Sequence, residues 1–199
     1  MISDDYENMR DQIIEAAREV FAKYGYRKTT IEDIASAVYK AKSSVYHYFS
    51  GKDDIFRAVI EREASQSIHS LREAVDAEKT PVMKFRTLFR FLCEKIEETT
   101  NYFHFIKDEW YDVFDFTSEV KKNNEKNITD IIVSIFNEGN RQGVFNVDDP
   151  ESKAKAIQVA LFGFLIPGGD IGTGVVSASI DPFLDVVLFG IMKRSEEVH

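Results

Sequence analysis

Within the stretch from Thr29 to Lys52, TTIEDIASAVYKAKSSVYHYFSGK, stand Thr30, Lys42, Ser43, Ser44, Tyr46, His47, Tyr48 and Lys52. Hydroxyls, an imidazole and ammonium groups are the donors that proteins direct at phosphate oxygens and base edges. No HExxH, GxSxG, paired CxxC or P-loop pattern occurs, and His47, His69, His104 and His199 lie in four separate segments. The chemistry on offer is recognition rather than turnover. No catalytic residue, cofactor or metal is expected.

Short helices must position these groups. Thr30 and Asp33 have the S/T-x-x-D/E spacing of a capping box, and Ile31, Ile34, Ala35 and Val38 recur on one helical face behind it. A second pattern, Lys42 to Phe49, turns Val45 and Phe49 inward at i, i+4 and leaves its hydrogen-bonding residues to point elsewhere. Ser50 and Asp53 repeat the capping spacing before a third helix, whose first turn holds Lys52 where ammonium and backbone amides can share a phosphate. This pairing of small helices is a helix-turn-helix. Its second helix fits the major groove of B-DNA, with Ser44, Tyr46 and His47 towards bases or phosphate. Tyr48 and Lys52 are assigned to phosphate, with packing on the first helix as the other role open to Tyr48. Thr30 is a cap that could also touch phosphate. Upstream, Ile13, Ile14, Ala17, Val20, Phe21 and Tyr24 form an apolar stripe ending at Gly25, while Met1 to Glu7 is expected to be loose.

A net charge of -9 argues against a polyanionic partner until its distribution is considered. From Arg18 to Lys52 seven basic residues face three acidic ones, a local charge of +4. Salt screens a distal acidic region over about 10 Å. With 199 residues, 44% of them apolar, the chain can bury one substantial core or two small ones. The single cysteine, Cys93, excludes an internal disulfide framework, and no leader or long uncharged apolar run is present. A cytoplasmic protein that does not enter a membrane is expected.

Beyond the reader the periodicity stays helical. Residues 1–51 are read as the helix-turn-helix domain and 52–199 as a second helical domain, joined by a linking helix over about 52–75. Pro81 opens an amphipathic helix to Thr99. The segment Asn101 to Phe116 is dense in aromatics, with carboxylates between them, and either packs as core or walls a pocket. The candidate ligand-binding residues are Phe89, Cys93, Phe103, His104, Trp110, Tyr111, Phe114 and Phe162. Thr117 is the expected cap of a helix to Gln142. Pro167 to Gly174 reads as a Gly-rich flexible loop, and Asp181 to Arg194 as a terminal helix apolar on nearly all sides. That helix and the one over Ala156–Ile166 are expected either to pair with their copies in a homodimer, through Val159, Gly163, Phe183, Val187, Gly190 and Ile191, or to pack within the chain.

The run through Ile13, Ala17, Phe21, Tyr24-Gly25, Thr29-Thr30, Ile34-Ala35, Val45-Tyr46-His47-Tyr48-Phe49 and Lys52 closely resembles the N-terminal domain of the tetracycline-repressor (TetR) family. The resemblance covers about the first quarter of the chain. It implies a dimeric, all-α regulator, probing a near-palindromic operator with its N-terminal domain and released from DNA by a small molecule bound in its C-terminal domain. A small hydrophobic or amphipathic effector is expected. Two other classes compete with this regulator: a helical carrier or enzyme with a structural N-terminal module, and a ligand-independent architectural DNA binder. The sequence departs from the family pattern at Tyr39, Lys40 and Ala41, which stand where glycine, an apolar residue and a capping hydroxyl are usual. A left-handed Tyr39 would cost about 1 to 2 kcal/mol relative to glycine. Ser43 could then cap a slightly later helix, and Lys40 could lay its stem on the domain with its charge towards DNA.

Overall fold

The structure, a computed structural model, describes residues 2–102, 106–165 and 173–191, with side chains described for 5–95, 118–160 and 180–191. Among the described residues it is all-α, with eight helices: α1 (Ile2–Tyr24), α2 (Ile31–Ala37), α3 (Lys42–Val45), α4 (Lys52–Asp76), α5 (Pro81–Tyr102), α6 (Ile106–Arg141), α7 (Pro150–Leu165) and α8 (Thr173–Ile191). They divide into two compact units, Met1–Gln66 with Thr99–Lys122, and Ser67–Glu98 with Asn123–His199.

In the first unit the α1 stripe closes on α2, α3 and the start of α4. Ile13, Ala17, Ile34, Val45 and Ile55 are fully buried, and Phe21 meets Phe56 edge-on with ring centroids 5.0 Å apart. Burying such side chains stabilises by about 1.5 to 3 kcal/mol each, and this set holds helices too short to persist alone. Gly25 ends α1 at φ 79, a conformation open to glycine at little cost, and its carbonyl accepts from the Thr29 hydroxyl at 2.7 Å. Thr29 is therefore a buried tie inside the loop rather than a surface hydroxyl.

The second unit is built on the later parts of α4 and α6, α5 as far as Glu98, α7 and α8. Phe85, Phe89, Leu88, Ile132 and Phe136 are fully buried in its core, with Leu71, Leu184 and Leu188. The loop after α6 returns over its own helix. Asn140 bonds both the N–H and the carbonyl of Val147, at 3.0 and 2.8 Å, and Phe145 lies so close to Gly139 that a Cβ there would fall 2.0 Å from the ring. Lys84 and Glu138, both largely shielded, pair at 2.7 Å between α5 and α6.

Several boundaries differ from the sequence expectation. Instead of a loose Met1–Glu7, α1 begins at Ile2, because Tyr6 finds a packing partner on the reading segment and acidic residues suit a helix N-terminus. No helix starts at Thr117: α6 is continuous from Ile106 and takes in the aromatic stretch from Ile106 onward. Asp181 does not start the last helix either. α8 begins at Thr173 and carries Pro182 inside it, at the cost of one backbone donor. The expected Gly-rich loop falls mostly on residues outside those described.

Candidate nucleic-acid interface

The reading segment is shorter as an α-helix than its apolar spacing suggests. α3 covers four residues, Lys42–Val45, and the chain then tightens, with His47 N–H donating to Ser44 O at 3.2 Å and Tyr48 N–H to Val45 O at 3.0 Å. These i→i+3 bonds continue the coil in 3₁₀ fashion. Val45 and Phe49 anchor it in the core, while Lys42, Ser43, Tyr46 and His47 are exposed and Ser44 is half-buried. Ser43, Tyr46 and His47 are spaced i, i+3, i+4, so they share the face away from the anchors.

α2 is fixed at both ends by local chemistry. Thr30 is its N-cap: its hydroxyl accepts from Asp33 N–H at 3.2 Å, and its own N–H and hydroxyl donate to Asp33 Oδ2 at 2.8 and 2.7 Å. Those two donors, hydroxyl first, hold the Asp33 carboxyl below its ordinary value. Because the Thr30 hydroxyl spends its one proton on Asp33, a phosphate contact there would have to compete with the cap. At the other end Lys40 N–H donates to Ala35 O at 2.9 Å and Tyr39 N–H to Ser36 O at 3.1 Å. This is a Schellman motif with Tyr39 at the left-handed position, φ 55. Tyrosine there costs about 1 to 2 kcal/mol relative to glycine. α3 has no comparable fixing. Its N-cap, Ala41, offers no side-chain bond, so Ser43 does not start a later helix as the sequence allowed; it lies within α3.

The far end of the reading segment is clamped by α1. The Tyr48 ring, half-buried, lies 4.6 Å from that of Tyr6, whose hydroxyl donates to His47 O at 3.4 Å. The Arg10 guanidinium stands 5.0 Å from the Phe49 ring centre. Tyr48 thus takes the packing role rather than projecting freely. Sequence reasoning does not find Tyr6 or Arg10 as supports, although Tyr6, Met9 and Ile13 extend the apolar stripe of α1 by two turns.

Lys52 is also placed differently from expectation. Its Nζ donates to Tyr26 O at 2.8 Å and Arg27 O at 3.4 Å, and sits 4.3 Å from the Tyr26 ring centre. Two of its three donors thereby tie the start of α4 to the loop before α2, leaving one for phosphate. The expected Ser50–Asp53 cap is replaced: Ser50 donates through N–H and hydroxyl to Asp54, at 2.9 and 3.1 Å, while Asp53 accepts from the Tyr26 hydroxyl. Lys42 keeps its charge outward, with Nζ 4.0 Å from Glu32 across an exposed gap.

A sequence model described as bacterial regulatory proteins, tetR family, matches residues 13–59, the span that contains this reader. Some curated relatives match along most of their length, and they are regulators as well. One is the HTH-type transcriptional regulator QacR of Staphylococcus aureus, 26% identical over 79% of this chain and 85% of its own. Another is the HTH-type transcriptional repressor KstR2 of Mycobacterium tuberculosis, 24% identical over 97% of this chain and 98% of its own. Residues 13–59 are therefore a tetR-family N-terminal domain. Among solved structures, a transcriptional regulator from Cytophaga hutchinsonii shares the fold with a TM-score of 0.78 at 20% identity, over 92% of this chain and 98% of that one. A tetR-family protein binds operator DNA, generally as a dimer, and answers to small-molecule effectors; it is not an enzyme.

The other candidate residues lie beyond this domain, from Phe89 onward. Phe89 and Cys93 are buried core residues of α5. Phe103 and His104 lie outside the described residues, as do the side chains of Trp110, Tyr111 and Phe114 on α6 and of Phe162 on α7. Of the dimerisation candidates, Val159 on α7 is 73% exposed, as are Val186 and Phe189 on α8. Phe183 and Val187 are half-buried on α8, Gly190 is exposed, Ile191 is buried, and Gly163 lies within α7. No helix among the described residues is long and apolar enough to cross a membrane.

Proposed function

We propose that this chain is a cytoplasmic homodimeric repressor that reads a near-palindromic operator with Lys42 to Tyr48 of each copy. The observation that supports it most directly is the division of labour in that segment. Val45 and Phe49 are sunk in the core while Ser43, Tyr46 and His47, on the opposite face, are exposed. Two such segments related by a dyad meet successive major grooves about 34 to 36 Å apart. The exposed apolar side chains on α7 and α8, Val159 and Val186 among them, support pairing of these helices between copies.

The effector is a small hydrophobic or amphipathic molecule held by the α5 and α6 region. In support, a structurally similar protein at TM-score 0.58 and 24% identity is the ketosteroid transcriptional regulator KstR2 of Mycobacterium tuberculosis. Another, at TM-score 0.65 and 20% identity, is the fatty acid degradation regulator FadR from Bacillus halodurans. α4 is one unbroken helix with Ile55 and Val59 in the reader's core and Leu71 and Val75 in the other core. An effector that prefers one position of its C-terminal half therefore biases the reader. A coupling of about 3 kcal/mol weakens operator binding roughly a hundredfold.

The reader is tested by a gel retardation with the protein's own upstream DNA. The double variant Tyr46→Ala, His47→Ala loses retardation while its circular-dichroism melt stays within a degree or two of wild type. Retained binding would refute the assignment. Native mass spectrometry of the purified dimer tests the effector by looking for a co-purified small molecule.

A further inference from the structure

Tyr39 is the residue the fold does least to justify. It occupies the left-handed position that ends α2, at φ 55, where glycine is the residue of least strain. It is also 95% exposed, more than any other large apolar residue described, so its ring contributes almost nothing to the core. Isolated exposed aromatics are ordinary, and so is a strained residue that the core requires. An aromatic that is both strained and uncovered stabilises nothing in the free protein. Strain of this kind is kept where the side chain has a partner outside the chain.

The position names that partner. Tyr39 stands three residues before α3, in the turn that leads the chain onto its reading face, and Lys40 beside it is exposed too. We propose that Tyr39 donates its phenolic hydroxyl to a phosphate on the wall of the groove that α3 enters, with the Lys40 ammonium on the same strand. Tyrosine is a usual donor to phosphate oxygens, and such contacts set register without reading sequence. The left-handed backbone turns the ring away from the core formed by Ile34, Ala35 and Val45, which is what an outward contact needs. This contact rests on the operator-binding reading, and refines it by adding to the reader a residue outside α3.

The experiment uses the full-length protein and a fluorescent duplex of its upstream DNA, titrated by anisotropy at several salt concentrations. Tyr39→Gly raises the melting temperature by a few degrees as strain is relieved. It also weakens operator binding about tenfold, the usual scale for a hydrogen bond to a charged group. Tyr39→Phe loses the same affinity without the gain in melting temperature. Neither changes the slope of affinity against salt, whereas Lys40→Gln lowers it by about one, because only the lysine releases a counterion. Wild-type affinity in Tyr39→Gly or in Tyr39→Phe overturns the hydroxyl contact and leaves the operator reading intact. If wild type itself shows no sequence-dependent binding, the operator reading falls and this contact with it. The double variant Tyr46→Ala, His47→Ala marks the difference, since it loses binding only where α3 is the reader.

Discussion

α2 and α3 are neighbours of similar size held by opposite means. α2, seven residues long, is closed by a capping box at Thr30 and Asp33 and by a Schellman motif at Tyr39 and Lys40. α3, four residues long, has an alanine at its N-cap and continues only as tightened turns. Its geometry is imported: Val45 and Phe49 from below, Tyr6 and Arg10 of α1 from the far end. The helix proposed to meet DNA carries its polar groups outward and leaves its support to others. A hydroxyl committed to a cap meets a phosphate or a base only in competition with that cap, as Thr30 shows on the neighbouring helix.

The largest test of that contrast is Phe49→Ala. Removing a buried phenylalanine costs about 3 to 5 kcal/mol. Because α3 has no local fixing, the loss falls on the reader as a whole, and operator binding and the thermal melt of the first unit fail together. If binding survived with the melt lowered, α3 would have support of its own. Ala41→Ser is the converse: a hydroxyl at the empty N-cap stabilises by about 1 kcal/mol at most. It is checked by urea denaturation, and a gain well above that would show that capping rather than anchoring limits α3.

Legibility along the chain follows the same division. The stripes of α1 and α2, the anchors Val45 and Phe49, and the Thr30–Asp33 box are local patterns, and the structure forms each of them except at Tyr24, expected in the α1 stripe but exposed at the helix end. What pairs across distance is not legible. Tyr6 with Tyr48 and Lys52 with Tyr26 join residues 42 and 26 positions apart, and nothing in their own neighbourhoods announces the partner. Near misses arise where two acidic residues compete. Ser50 takes Asp54 rather than Asp53, because Asp53 is engaged by the Tyr26 hydroxyl. Long helices hide their own starts for another reason: α6 runs through Thr117 and α8 through Asp181 and Pro182, residues that would begin a helix in isolation.

The smallest effect tests the locally held half, through the acid limb of the cap. The Asp33 carboxyl accepts from the Thr30 hydroxyl and N–H, and both bonds favour its charged form, so its pKa in the folded protein lies below 3.8. A carboxyl whose folded pKa is depressed contributes stability that is present above the unfolded pKa and disappears as pH falls through the folded one. The cap therefore weakens only below about pH 4, on the acid side of the ordinary carboxylate range. Thr30→Ala removes the first of the two donors and leaves the backbone N–H, so the Asp33 titration followed by carbon-13 NMR moves up towards 3.8 without reaching it. The same variant costs about 1 kcal/mol near neutral pH. An Asp33 titration that stayed where it is in wild type would mean that the hydroxyl bond does not set the charge of the cap, and that α2 is held by its burial much as α3 is.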